Sequence, residues 1–90
     1  MIDSTAKSLR FKANAIVLIS GKSELAAVEL VEKILSSYTL DILENQNIHM
    51  AGHLISAFHI NFDPAHLSAI EEELGQALNP LNLDLAIELL

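Results

Sequence analysis

The chain has 90 residues with 5 basic and 12 acidic side chains, a formal net charge of −7, and 51% hydrophobic residues. This length predicts one domain, the apolar content excludes a disordered tail, and the acidity argues against nucleic-acid and anionic membrane surfaces. Because cysteine is absent, disulfide scaffolds, thiol catalysis and cysteine-based metal sites are excluded as well. The longest apolar run, Ala15–Ile19, is too short to cross a bilayer, and with no signal-peptide core we expect a cytoplasmic protein.

The charge is unevenly distributed along the chain. Residues 1–12 hold three basic groups and one acidic group, or +2, whereas residues 13–90 hold two basic and eleven acidic groups, or −9. We therefore expect a leader over residues 1–12, whose order the sequence leaves open, followed by one acidic domain over residues 13–90.

The first predicted elements are a strand and a helix. Asn14–Ser20 is an apolar, β-branched run that ends at Gly21, which is typical of a central strand followed by a turn. Ser23 suits a helix N-cap. From Glu24 to about Tyr38 the apolar residues recur with the helical period, on a face formed by Ala27, Val31, Ile34 and Tyr38.

Two strands of a hairpin follow, over Thr39–Met50 and His53–Phe62. In the first, Leu40, Ile42, Ile48 and Met50 share one parity, but Glu44 and Gln46 fall on the same parity. A β-bulge near Glu44–Asn45 would reconcile this pattern. In the second, Leu54, Phe58, Ile60 and Phe62 alternate with His53, His59 and Asn61.

The loop between these strands is predicted to contain Met50, Ala51 and Gly52, because glycine accepts a positive φ. A three-residue loop would pair Ile48 with Leu54 and His49 with His53 across the hairpin. It would thus bring the two histidines face to face.

The second half of the chain predicts another helix and a final strand. Asp63 is a suitable N-cap and Pro64 a suitable first helical residue. The apolar stripe of this helix comprises Leu67, Ile70, Leu74, Ala77 and Leu78. After Pro80, the stretch Leu81–Leu89 alternates apolar and polar residues, which predicts a strand.

The element order is therefore β-α-β-β-α-β. With right-handed crossovers, this order predicts an α+β, ferredoxin-like sandwich in which two helices cover one face of a four-stranded antiparallel sheet. The spatial strand order would be 4-1-3-2, with the second and fourth strands at the edges.

The candidate catalytic and metal-binding residues support no specific chemistry. The chain has no glycine-rich phosphate loop, and its single arginine, Arg10, precedes the first strand. A two-histidine metal site from His49 and His53 is the strongest metal candidate, but His59 would lie roughly 20 Å from His53. We expect no metal, no cofactor and no enzymatic activity in this chain.

Three stretches resemble the ACT domain, a small amino-acid-sensing module, and most nearly the N-terminal ACT domain of bacterial phosphoserine phosphatases. They are Ala15–Gly21 (AIVLISG), Thr39–His49 (TLDILENQNIH) and Gly52–Ile60 (GHLISAFHI). The resemblance covers about residues 13–90. It implies the same ferredoxin-like fold and a regulatory role, with any catalytic domain lying C-terminal to this chain.

The resemblance also implies a ligand site between the first turn and the first helix, often completed by a partner subunit. Backbone N–H groups at a helix N-terminus can meet a ligand carboxylate there. Where the family commonly has Asp-x-Pro-Gly, this chain has Ser23, Leu25 and Ala26 at the Asp, Pro and Gly positions. The implied ligand-binding residues are Gly21, Ser23, Leu25, Ala26, Asn45 and Gln46, with either of the last two as counterpart of the family's glutamine.

The resemblance thus implies a homodimeric domain that senses serine or a related amino acid within a phosphoserine phosphatase of serine biosynthesis. Two alternatives stay open. One is a protein-interaction module that binds no ligand, which the altered turn favours. The other is a stand-alone ACT regulator of amino-acid metabolism that contacts another protein.

Overall fold

A computed structural model describes residues 9–22 and 25–90 of the chain. Six main elements follow one another: β1 (Ala13–Lys22), α1 (Leu25–Ser36), β2 (Leu40–Met50), β3 (His53–Phe62), α2 (Leu67–Leu78) and β4 (Asp84–Leu89). The predicted N-cap Ser23 and residues 1–8 of the predicted leader lie outside the described residues.

The four strands form one antiparallel sheet in the order β2-β3-β1-β4. This is the predicted order 4-1-3-2 counted from the other edge, so the ferredoxin-like prediction is confirmed. β1 lies at the centre, where Val17 pairs with Phe58 of β3 on one side and with Ile87 of β4 on the other. Two edges therefore remain, β2 and β4.

The core lies between one face of the sheet and the two helices, as predicted. Its buried apolar residues are Ala15, Val17, Ile19, Ala27, Val31, Ile34, Leu35, Leu54, Phe58, Ile60, Phe62, Ile70, Leu74, Leu78 and Leu83. Among the described residues, no helix combines the length and apolar character needed to span a membrane.

The start of the second helical segment follows the predicted capping. The Asp63 carboxylate accepts the Ala65 backbone N–H at 3.0 Å, and Pro64 is the first residue of a 3-10 turn over Pro64–His66. The α-helix α2 then begins at Leu67. Asp63 thus caps the turn that leads into α2, because its oxygen satisfies a donor that a helix start leaves unpaired.

The predicted hairpin loop is wrong by one residue. Met50 pairs with His53, so the loop contains only Ala51 and Gly52, with φ of 52° and 76°. Two positive φ values in a two-residue loop are the geometry that matches the twist of a hairpin. Ile48 therefore pairs with Ile55, and His49 with Leu54. The predicted Ile48–Leu54 and His49–His53 pairs do not form, because a one-residue slip turns every side chain to the other face.

The predicted bulge in β2 is present, but earlier than expected. The register shifts between Ile42 and Glu44, which leaves Leu43 as the extra residue. Before the bulge, Ile42 lies level with Ile60 on the helix-facing side. After it, the parity reverses, so Ile48 and Met50 lie on the opposite, outer face of the sheet.

The predicted start of the last strand is also wrong, since β4 begins at Asp84 and not at Leu81. Asn79–Leu81 forms a 3-10 turn, and Asn82 adopts a left-handed conformation with φ of 57°. Pro80 cannot donate a ladder hydrogen bond, and the turn directs the chain back towards the sheet. Leu83 is buried there, with its N–H bonded to the Leu78 carbonyl at 3.3 Å.

Candidate functional site

Three polar side chains lie together on the helix-facing side of β2 and β3, and we call them the amide ladder: Asn45, Asn47 and Ser56. The two asparagines exchange side-chain hydrogen bonds at 3.3 and 3.2 Å. Asn45 also donates to the Ala57 carbonyl at 2.9 Å. The Ser56 hydroxyl is fully buried and donates to Asn47 Oδ1.

The bulge at Leu43 explains why these polar groups face the helices. Before the bulge this side of β2 carries Leu40 and Ile42, which pack against the core. After it the same side carries Asn45, which is half-buried, and Asn47, which is exposed. Because an amide can both donate and accept hydrogen bonds, the exposed end of the amide ladder suits a small polar ligand.

The first turn supplies the other predicted half of the site. Gly21, the last residue but one of β1, pairs with Leu54, and a Cβ there would lie 2.6 Å from Leu83 Cδ2 and 3.2 Å from the Asn82 carbonyl oxygen. The glycine is therefore needed for packing against the chain that enters β4. Ala26 is exposed in the first turn of α1, and Leu25 is the first residue of that helix.

The structure does not bring these two halves together within one chain. Gly21 and His49 both pair with Leu54, so Asn45 lies four residues along β2 from the level of Gly21 and two strands away. At ordinary strand spacings that separation is roughly 16 Å. A single free amino acid cannot contact Gly21 and Asn45 of the same chain, so a site using both requires a second chain.

Gln46 lies on the outer face of the sheet, away from the helices. It pairs with Ala57, and its amide donates to Glu44 Oε2 at 2.7 Å. With Ile16, Glu44, Ala57 and His59 it lines a shallow hollow of about 220 Å³. Asn45 and Gln46 therefore serve opposite faces, and of the two only Asn45 shares a face with α1.

Asn61 is a buried polar residue whose role the sequence did not reveal. Its side chain accepts the Phe11 N–H at 2.8 Å and donates to the Phe11 and Ala13 carbonyls at 2.9 and 3.1 Å. It thereby holds the residues before β1 against β3. Asparagine is unfavourable in strands, so its position between Ile60 and Phe62 was a signal that could have been used.

Arg10 adds a second attachment of the segment before β1. Its guanidinium donates two hydrogen bonds to Asp41 at 2.9 and 2.8 Å. These bonds lower the pKa of the Asp41 carboxyl, since they favour its charged form. Within the predicted leader, Arg10 and Phe11 thus contact the sheet, and the domain boundary at residue 12 stays a prediction.

The histidines do not form a metal site in the described part of the chain. No group of three or more His, Asp or Glu side chains there is arranged to hold a metal ion. His49 and His53 lie on opposite sides of the sheet, since they pair with Leu54 and Met50 respectively.

Comparisons with known proteins place this fold among ACT domains. The structure matches an ACT domain protein from Streptococcus pneumoniae with a TM-score of 0.66 at 20% identity, over 86% of this chain and 89% of that one. It matches a proposed glycine cleavage system transcriptional repressor with a TM-score of 0.78 at 10% identity, over 87% of this chain and 46% of that one.

A third match is formyltetrahydrofolate deformylase from Burkholderia mallei, with a TM-score of 0.78 at 13% identity, over 86% of this chain. The chain spans 28% of that enzyme and less than half of the repressor. No family model and no curated protein matches the chain by sequence. At these identities the matches show the fold: the chain has the fold of ACT-like regulatory domains.

Proposed function

We propose that this chain is a regulatory ACT-like domain that binds a small amino acid, such as serine, between two copies of itself. The observation that carries the proposal is the amide ladder, which lies on the helix-facing side of an edge strand in an ACT-like fold. Asn47 is exposed there. Its bond to Asn45 uses one N–H of its amide, so the second N–H can donate to the carboxylate of an amino acid.

The distance between the two halves of the site supports the requirement for two copies. Gly21 and Ala26 lie near the start of α1, and Asn45 lies roughly 16 Å away from the glycine. In a homodimer that places the first turn of one chain against the amide ladder of the other, both would contact the same ligand. Ligand binding would then be coupled to association by mass action.

Calorimetric titration with serine, glycine and other amino acids tests this proposal. Substitutions at two neighbouring residues serve as the test and its control. Asn45→Ala should weaken binding by at least about tenfold, because a polar ligand loses a hydrogen-bonding partner. Gln46→Ala should leave the affinity unchanged, because Gln46 faces the opposite side of the sheet. The absence of binding heat across the whole set of amino acids would contradict the proposal, as would equal losses in the two variants.

A second candidate is an interaction module that binds no ligand. Ala26 favours it, since its Cβ projects where a ligand would approach the turn closely. Sedimentation with and without amino acids separates the candidates: added amino acid leaves the association of an interaction module unchanged, whereas the sensing domain associates more tightly when its ligand is added.

The function of this domain is a separate question from the kind of whole protein that carries it. The expectation of a phosphoserine phosphatase rests on the three similar sequence stretches, and the structures named above point to no such enzyme. They include a proposed repressor and a deformylase, so proteins of different activities carry this fold. The reading frame after Leu90 tests the expectation, since a phosphatase requires a following domain with an Asp-x-Asp nucleophile motif, whereas a stop codon favours the stand-alone regulator.

A further inference from the structure

The outer face of the sheet carries an apolar patch near its hairpin end, which we call the outer patch: Leu18, Ile48, Met50 and Ile55. These side chains are 40%, 48%, 69% and 44% exposed. Ile48 and Ile55 are direct cross-strand partners, and Leu18 pairs with Ala57, the next outward residue after Ile55. An antiparallel sheet with one solvated face normally presents polar residues there, so this patch favours a covering partner.

The size of this face suits a small dimer. Its four strands, of 6 to 11 residues each, span roughly 600 Å² at ordinary strand spacings. Two such faces packed together would bury roughly 1,200 Å² in total, the lower end of the range for specific protein interfaces. Sheets pack face to face at about 10 Å, a distance that side chains of the size of isoleucine fill.

The charges around the outer patch are arranged asymmetrically along the strands. Lys22 and His53 lie at the hairpin end, where they pair with each other. Asp84 is on the same face of β4, where it pairs with Ser20 near that end. Glu44 and Glu88 lie towards the opposite end, at the level of Ile16 and His59, so the acidic charge is greater there.

This asymmetry selects one orientation of a second copy. If its strands run in the opposite direction, the Lys22 end of each copy lies over the Glu44 and Glu88 end of the other. If they run in the same direction, β2 lies over β4 and Glu44 faces Glu88, which like-charge repulsion disfavours.

The hollow beside Gln46 makes the outer face complementary in shape to a second copy of itself. It lies over Ala57, the small residue that follows Ile55 on the outer face of β3. When two copies are stacked with opposed strands, Ile55 of each lies over Ala57 of the other. The protruding isoleucine can then enter a hollow of about 220 Å³, so the face is complementary to itself, as a two-fold interface requires.

We propose that the outer face of the sheet packs against the outer face of a second copy of this chain, with the strands of the two sheets running in opposite directions. This inference is independent of the proposed ligand site, which lies on the other side of the sheet. A chain can use both surfaces at once, and either proposal can fail without the other.

Sedimentation equilibrium of the 90-residue chain without ligand tests the surface. Ile55→Lys should weaken self-association by at least about tenfold, because it places a charge at the centre of the interface. Leu89→Lys is the matched control: Leu89 is 56% exposed but pairs with Ala15 on the helix-facing side, so association should not change. Ile48→Lys repeats the test at an edge position, and circular dichroism checks that each variant folds.

Exchanging the charges of Lys22 and Glu88 tests whether the strands of the two sheets run in opposite directions. Lys22→Glu should weaken association, and adding Glu88→Lys to that variant should restore it, because the two residues exchange roles across the opposed sheets. A chain that stays monomeric at millimolar concentration overturns the proposal. So does a dimer that tolerates both Ile55→Lys and Ile48→Lys, and a failure of Glu88→Lys to rescue overturns the opposed orientation.

Discussion

The two faces of the sheet differ sharply although they are built from the same strands. On the helix-facing side of β3, Leu54, Phe58, Ile60 and Phe62 are buried. On the outer side, Ile55 is 44% exposed, although it follows Leu54 directly. The comparison shows that the stabilisation from an aliphatic side chain depends on whether another layer covers it, since only the area removed from water contributes.

The largest expected effect compares adjacent residues on the two faces. Leu54→Ala should lower the free energy of unfolding by about 2–5 kcal/mol, the usual cost of a cavity in a packed core. Ile55→Ala should cost less than about 1 kcal/mol in the monomer, because water already reaches this side chain. Urea unfolding at low protein concentration measures both, and similar losses would show that the outer face is covered within a single chain.

The next effect concerns the close packing on the helix-facing side of the sheet, where Gly21 near the end of β1 contacts the chain that enters β4. Gly21→Ala should destabilise by about 1–3 kcal/mol, since the new methyl group would overlap Leu83 and crowd the Asn82 carbonyl. Gly75→Ala in α2 is the control, because no atom beyond its own stretch of helix lies within 4 Å of where the new methyl group would sit. It should stabilise by about 0.5–1 kcal/mol through helix propensity. Thermal unfolding of both variants shows whether each substitution raises or lowers the stability. A stabilising Gly21→Ala would contradict the packing described.

A smaller effect on stability is expected in the amide ladder, at the β2 edge of the helix-facing side. Ser56→Ala should lower stability by about 1 kcal/mol, the net value of one hydrogen bond. Asn47→Ala should have a similar effect, because the buried Ser56 hydroxyl loses its acceptor. The double variant should cost less than the sum, since both changes remove the same bond. Strict additivity in urea unfolding would show that the bond contributes nothing.

The smallest effect is a pH dependence at the rim of the helical layer. The Tyr38 hydroxyl donates to Glu73 at 2.7 Å, and this bond raises the pKa of the tyrosine because it favours the neutral phenol. Its contribution is therefore complete below the ordinary tyrosine pKa of about 10 and is lost as the pH rises through the raised value.

Tyr38→Phe should accordingly unfold at lower urea concentration than the unmodified chain near neutral pH, and the difference should vanish in strongly alkaline solution. Urea midpoints over this pH range measure it. A difference that persisted unchanged in alkali would mean that the hydrogen bond to Glu73 is not its source.

Several features followed from local sequence alone, because the physical cause lies within a few neighbouring residues. The alternation in His53–Phe62 correctly located β3 and its buried apolar residues, since a two-residue period has one solution when one face is apolar. Asp63 and Pro64 likewise marked the start of a helical segment through their own backbone preferences. Together with the element order and the handedness of crossovers, these signals were sufficient for the strand order of the sheet.

The tertiary structure decided which way β2 faces and what each face can bind. Sequence parity indicated a bulge but not its position, because a bulge can be moved by one or two residues at little local cost. Pairing with β3 places it at Leu43, which turns Asn45 towards the helices and Ile48 towards the outer patch. The same pairing separates Gly21 from Asn45. Local sequence therefore determined that this is a ferredoxin-like sandwich, whereas the long-range register determined its two candidate binding surfaces, because a one-residue shift exchanges the faces of a strand.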